Sequence, residues 1–152
     1  MIGLDIPIKP IKGQVLACRP VPCHVSHILW RGINWMVPKA DGSIIMGTTR
    51  EDVGFDDLPN IGSIAGILNE CIKLVPDIFE AKLHKVWAGL RPATPDERPI
   101  IGPVEQCDGL VLALGHYRSG MLLSAVSGKL VSDYIYSGVN EDLKELNLSR
   151  FH

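Results

Sequence analysis

Nowhere in this chain of 152 residues do lysines and arginines gather into a run, and the net charge is only −2. A phosphate backbone needs a basic patch to hold it, so nucleic acid is not an expected partner. Long hydrophobic runs are absent too. The most apolar stretch, Met121 to Ile135, is interrupted by Ser124, Ser127, Lys129, Ser132 and Asp133, which makes it too polar and too short to span a bilayer. Met1 to Pro10 carries no apolar run of secretory-leader length, so the expected location is the cytoplasm. None of the four cysteines forms a C-x-x-C pair, which fits reduced thiols better than a disulfide frame. Cys18, Cys23, His24 and His27 are close in sequence, but their spacing matches no common zinc pattern; a strand end and a proline loop explain them as well. There is no internal repeat or low-complexity segment. With 46% hydrophobic and 21% charged residues, the composition is that of a globular protein with a real core.

What the chain does have is two stiffly framed arginines. Arg91 lies in Trp87-Ala-Gly-Leu-Arg-Pro-Ala-Thr-Pro-Asp96, its backbone restricted by Pro92 and Pro95. Arg118 lies in Gly115-His-Tyr-Arg-Ser-Gly120, a turn that opens onto an apolar, helix-like stretch. A guanidinium is permanently charged and offers a planar fork of donors. Two of them held near one pocket suit a small carboxylate.

Around these segments the pattern reads as strands, a helix, more strands and a last helix. Strands are expected at 14–19, 25–31, 34–38 and 43–49, with the Asp41-Gly42 pair marking a hairpin. From Ile61 the apolar residues Ile64, Leu68, Cys71 and Val75 keep helical spacing, with Asn60 as N-cap and Pro76 as the stop. Further strands are expected at 82–90, 99–102 and 109–114, the last a continuous apolar run suited to burial on both faces. A helix from Gly120 to about Ser137, closed by Gly138, follows. The charged tail after it is expected to fray.

The strand–turn–helix order near Gly115 invites a phosphate-loop reading, but the glycine spacing is wrong and Lys129 falls deep inside the helix. The helix N-terminus still offers partial positive charge to an anion or polar oxygen. Ser124, Ala125, Gly128 and Ser132 form a small-residue face that suits either tight packing or the approach of a flat cofactor. His116 can act as an acid or base, or brace the turn by hydrogen bonding.

The chain resembles the C-terminal half of the FAD-dependent amine and amino-acid oxidases, the D-amino-acid-oxidase-like family, and within it the glycine oxidases of thiamine biosynthesis. Five ordered blocks carry the resemblance: Pro10-Ile-Lys-Gly-Gln14, Met36-Val-Pro-Lys-Ala-Asp-Gly42, Met46-Gly-Thr-Thr-Arg-Glu51 with Gly54-Phe-Asp56, and the two arginine segments. It implies an α+β fold: residues 1–104 as an antiparallel sheet with a helix packed on it, which binds substrate; residues 105–138 as the last strand, turn and helix of an FAD-binding domain; and 139–152 as a polar tail.

The resemblance also implies roles. Arg91 and Arg118 match the arginines that bind the substrate carboxylate. Trp35 stands where the family usually has a hydroxyl-bearing aromatic that assists them, which narrows or shifts the pocket. Arg50 either reaches the pocket or forms a solvated pair with Glu51. Gly115, His116, Tyr117, Arg118, Ser119, Gly120 and Met121 match the turn and helix start that lie against the flavin ring. Gly89 occupies the position where sarcosine-type oxidases carry a flavin-linked cysteine, so FAD is expected to be noncovalent. No metal is implied. The implied reaction is hydride transfer from the Cα of glycine or another small amino acid to flavin, giving an imine, with O₂ reduced to hydrogen peroxide.

The glycine-rich βαβ unit that such an oxidase needs for the FAD pyrophosphate does not occur in the sequence. The expectation is therefore a substrate-binding portion that is inactive until an N-terminal half or a second chain completes it. A truncated or split gene product, a part of a longer oxidase and a subunit all remain open. So does a noncatalytic carboxylate-binding or assembly module. Surface left uncovered on the final helix is expected to favour self-association into a homo-oligomer.

Overall fold

In the computed structural model, residues 3–138 and 141–151 are described. Its strands are β1 (Lys9–Cys18), β2 (Leu29–Arg31), β3 (Asn34–Pro38), β4 (Ile44–Gly47), β5 (Leu83–Ala93), β6 (Ile100–Pro103) and β7 (Val111–Leu114), with helices α1 (Ile61–Leu74) and α2 (Gly120–Ser137). Packing separates Ile11–Leu90 from a second unit made of Met1–Pro10 and Arg91–His152. The sequence reading instead placed a boundary after residue 104. That cut would divide an antiparallel ladder in which Ile100 faces Leu114 and Pro103 faces Val111.

In the unit 11–90, turn chemistry sets the register. Gly42 adopts φ +81°, and the Asp41 carboxylate accepts from both the backbone N–H and the hydroxyl of Ser43, at 3.0 and 2.7 Å. β3 and β4 then pair with Met36 opposite Met46, and β1 pairs on the far side of β4 with Leu16 opposite Met46. The strand order is β2-β3-β4-β1-β5. Because side chains alternate along a strand, Leu16, Cys18, Met36, Ile44 and Met46 share one face and pack with Ile67 and Cys71 of α1. Burial pushes the Cys71 thiol up to about 11. Cys18 also points into this core, 3.7 Å from the Ile44 carbonyl, and among the described residues no His, Cys, Asp and Glu group is arranged to hold a metal ion.

The expected cap and stop of α1 are both present: Asn60 accepts from the Ser63 N–H at 2.9 Å, and the helix ends before Pro76. Its buried face differs from the expected one. Ile61 is exposed and Ile67, which the spacing skipped, is buried, because the first turn runs past the core beneath the helix. β2 is also shorter than expected. At 26–27 the Ser26 hydroxyl and His27 ring bond to each other instead of joining a ladder.

A buried polar cluster ties the stretch after β4 to the sheet. Lys12 is 2% exposed; its ammonium lies 2.7 Å from Asp56, donates to the Leu58 carbonyl at 3.1 Å and stands 3.5 Å from Glu51. The fully buried Gln14 donates to Glu51 at 2.7 Å and accepts the Asn60 N–H at 2.8 Å, and Ser63 donates to Glu51 at 3.1 Å. One glutamine thus links β1, the loop and the start of α1. Hydrogen bonds from Lys12 hold the Asp56 carboxyl below the usual range.

In the second unit, α2 packs on β6 and β7 and ends as expected: Gly138 takes φ +71° and its N–H bonds to the Tyr134 carbonyl at 2.8 Å. The core is Ile100, Val104, Leu112 and Leu148, with Leu4, Ile6 and Ile8 beside them. β7 is buried on one face only. Leu112 points into the core, whereas Ala113 is exposed. α2 likewise leaves Met121, Leu122, Val126, Ile135 and Tyr136 exposed. Among the described residues no helix is long and apolar enough to cross a membrane.

The tail does not fray where it is described; Asn140 and His152 lie outside the described residues. Single 3-10 turns form at Glu141–Leu143 and Leu148–Phe151, burying Leu143 and Leu148. The Ile101 N–H donates to the Leu146 carbonyl at 2.9 Å, and the Arg150 fork meets the two Asp96 oxygens at 2.9 and 3.2 Å. The leucines among the charges explain the difference: they supply the apolar anchor that charge content alone conceals.

Two outcomes follow from these interactions. Replacing Gln14 by Leu removes one donor from the Glu51 carboxylate and the acceptor of the Asn60 N–H, and should lower the stability of the chain by about 2 kcal/mol in urea unfolding. Hydrogen bonds from Arg150 are the main cause that draws the Asp96 carboxyl down to about 2. A carboxyl whose folded value is depressed stabilises the fold above its unfolded value and ceases to as pH falls through the folded one. The stability gap between the chain and Asp96→Asn should therefore be full above a pH of about 4 and close toward pH 2.

Candidate functional site

Arg91 sits inside β5, not in the turn that its neighbouring prolines suggested. The strand runs on through Pro92 to Ala93. Proline is tolerated there because β5 is a sheet edge, where a missing N–H breaks no ladder. Pro92 still has its carbonyl, which accepts the Tyr117 N–H at 3.1 Å, and the next residue, Ala93, bridges to His116. Two backbone links therefore join the Arg91 segment to the Arg118 turn.

The turn is shaped by positions that few residues tolerate. Gly115 has φ +73°, and a Cβ there would lie 2.7 Å from the Thr94 methyl, so only glycine fits. Tyr117 has φ +49°, rare for a residue with a side chain. The Ser119 N–H closes the turn on the His116 carbonyl at 2.9 Å. The His116 Nε2 lies 2.8 Å from the hydroxyl of the buried Ser127, which ties the turn to the middle of α2. Of the two roles open to His116, this geometry supports bracing.

The guanidinium groups influence one another. Arg91 is half-buried, and desolvation is the main cause that lowers its pKa from the ordinary value; Tyr117 opposes the shift and the nearby Arg118 charge adds to it. Arg118 is exposed, its guanidinium carbon 5.5 Å from the Tyr117 ring centre. Two like charges, one partly stripped of water, favour the arrival of an anion between them.

Beside them begins α2. Ser119 makes no side-chain cap and no acidic residue stands in the first turn, so nothing on the side chains offsets the positive end of the helix. Gly120, Ser124, Ser127, Gly128 and Val131, with Ala113 and His116, line an open hollow along the helix. A Cβ at Gly128 would meet nothing within 4 Å. Small side chains, an open face and a positive helix end fit a flat, electron-rich ring with polar oxygens on one edge. Met121, also expected at this place, is in the first turn and exposed.

The remaining expected residues belong to the unit 11–90. Trp35 is on the opposite face of β3 from the core residue Met36; a Cβ at Gly47 would lie 2.9 Å from its ring. Arg50 is exposed just after β4, and its neighbour Glu51 lies 3.5 Å from the Lys12 ammonium. Gly89 is exposed on β5 with open space where a Cβ would stand. Sequence reasoning missed the polar partners of the site: Ser127 under His116, and Thr94, whose hydroxyl donates to the Arg98 carbonyl at 2.7 Å. Thr94 and Asp96 were in view as part of the Thr-Pro-Asp block; only their partners were hidden.

Residues 1–134 match the family described as FAD dependent oxidoreductase. The chain is 38% identical over 149 residues to the hydrogen cyanide synthase subunit HcnC of Pseudomonas protegens, covering 98% of this chain and 35% of that protein. It is 40% identical over 154 residues to the bifunctional protein ThiO/ThiG of Trichormus variabilis, covering 98% of this chain and 23% of that one. The crystal structure of glycine oxidase from Geobacillus kaustophilus superposes with a TM-score of 0.88 at 34% identity, over 98% of this chain and 41% of that one. The chain thus spans about a third or less of the length of these curated relatives. With the joined arginine segments and the open helix start falling inside the matched stretch, the chain belongs to the family of FAD-dependent oxidoreductases.

Proposed function

We propose that this chain is the substrate-binding and C-terminal portion of an FAD-dependent oxidase acting on glycine or another small amino acid. The observation that carries the reading is the backbone join between Pro92 and Tyr117, which fixes Arg91 and Arg118 as neighbours. A carboxylate placed between them relieves both the like-charge repulsion and the desolvation of Arg91. The planar forks then fix its orientation as well as its position.

The chemistry that bound FAD would supply here is two-electron oxidation of the amino acid to the imine, with O₂ reduced to hydrogen peroxide. The chain's own residues hold the carboxylate so that Cα is presented in one orientation, an entropic contribution to catalysis. The start of α2 and the hollow along it, from Gly115 to Met121, would meet the ring. Gly89 has no thiol to offer, so the cofactor is held noncovalently. His116 braces the turn through Ser127 and moves no proton. The exposed apolar residues of α2 are covered, in this proposal, by the nucleotide-binding portion, supplied by the same polypeptide or a second chain in the cytoplasm.

The test is an assay of the chain completed by a nucleotide-binding portion. Glycine-dependent hydrogen peroxide is expected. Arg91→Ala should raise KM for glycine about 100-fold or more, as expected for loss of a charged hydrogen-bonding partner, with the flavin spectrum retained. Arg118→Lys keeps the charge but loses the fork, so its effect should be smaller. A completed protein that binds flavin yet is inert with glycine, sarcosine and other small amines would overturn the proposal. A second expected outcome concerns the isolated chain, which should show negligible affinity for FAD in a fluorescence titration. Tight glycolate binding by the isolated chain without flavin, lost in Arg91→Ala, would instead favour a carboxylate-binding module.

A further inference from the structure

We infer that Arg150, in the C-terminal segment, is a positioning residue for the arginine pair; its effect on substrate rests on the reading above, its effect on the turn does not. A continuous series of contacts connects them. The Arg150 fork grips both Asp96 oxygens, and one of its terminal nitrogens also donates to the Arg98 carbonyl at 2.9 Å. That same carbonyl accepts the Thr94 hydroxyl at 2.7 Å. Arg150 and Thr94 therefore close the 94–98 turn from opposite ends on one oxygen. Thr94 is 2% exposed, and its methyl fills the space that a side chain at Gly115 would need. Gly115 leads directly into the Ala93–His116 bridge and the Tyr117–Pro92 hydrogen bond.

The segment that carries Arg150 is itself anchored. Its side chain is only 13% exposed, and it donates back to the Leu146 and Asn147 carbonyls at 2.7 and 3.1 Å while its guanidinium carbon lies 4.3 Å from the Phe151 ring centre. Leu148 is buried in the core of this unit. Arg98 adds a second ion pair, to Glu145 at 3.1 Å, but with both partners well exposed it contributes little. Arg150 lies beyond the 1–134 stretch that the family model matches. A lysine there would keep the charge and lose both the fork and the shared carbonyl.

Amide hydrogen exchange on the full chain reads the relay without flavin or substrate. In Arg150→Ala the Tyr117 N–H should exchange about tenfold faster. Asp96→Asn should do the same, and the double variant should add little beyond either alone. Arg150→Lys should fall between. The Leu16 and Met46 amides in the other unit should stay unchanged, which shows that the fold is intact. In the completed oxidase, Arg150→Ala should raise KM for glycine about tenfold with kcat changed less and the flavin spectrum unchanged. Unaltered exchange at Tyr117 in Arg150→Ala overturns the relay, and faster exchange with an unaltered KM overturns the positioning role while leaving the hold on the turn. A parent oxidase that ignores small amino acids sinks the functional proposal instead, and the exchange result still decides whether Arg150 holds the turn.

Discussion

A hydrogen bond between two backbones, from the Tyr117 N–H to the Pro92 carbonyl, is the constraint on which the site depends. It makes neighbours of two cationic side chains from distant parts of the sequence, and it does so with groups that no side-chain substitution removes. The conformation that allows it is costly at Tyr117, whose φ is positive, and needs glycine at 115, where a side chain would meet Thr94. Such positions persist only where the surroundings determine them strongly. Thr94 against Gly115 and Ser127 under His116 are those surroundings.

The electrostatics follow from that join. A half-buried guanidinium beside a second one is an unfavourable arrangement by itself, and its cost is part of its use. In the proposed function, an anion bound there would offset part of what desolvation and like charge have taken. The uncapped start of α2 lies on the same short turn and adds a field of the same sign. The unit 11–90 solves a different problem with opposite charges. Lys12 between Glu51 and Asp56, with Gln14 bonded to Glu51, anchors the loop that follows Arg50 from inside the sheet.

Much of this was legible in the sequence because it rests on local chemistry. Asp41-Gly42 marked its hairpin, Asn60 and Pro76 bounded α1, and Gly138 ended α2, since each of these residues acts through its own backbone. The family could be recognised from its ordered blocks, and the two arginines stood out through their glycine and proline frames. What was hidden depends on partners distant in sequence. Nothing near Pro92 announces that its carbonyl meets Tyr117, and nothing near Arg150 announces Asp96. The tail was misjudged because charges outnumber the leucines that anchor it, and β7 because a continuous apolar run does not say whether both faces are covered by this chain. Ile61 kept helical spacing yet is exposed, so periodicity gave the helix and misassigned one residue of its buried face.

The central claim is that Arg91 and Arg118 act as one grip on one carboxylate. Its most direct test is a double-mutant cycle on glycolate binding to the completed, FAD-loaded protein, using Arg91→Ala, Arg118→Ala and the pair. If the two guanidinium groups share the anion, the losses should be non-additive, with a coupling of about 1 kcal/mol or more. Losses that simply add, or an Arg118→Ala variant that binds glycolate as well as the parent, would contradict the account.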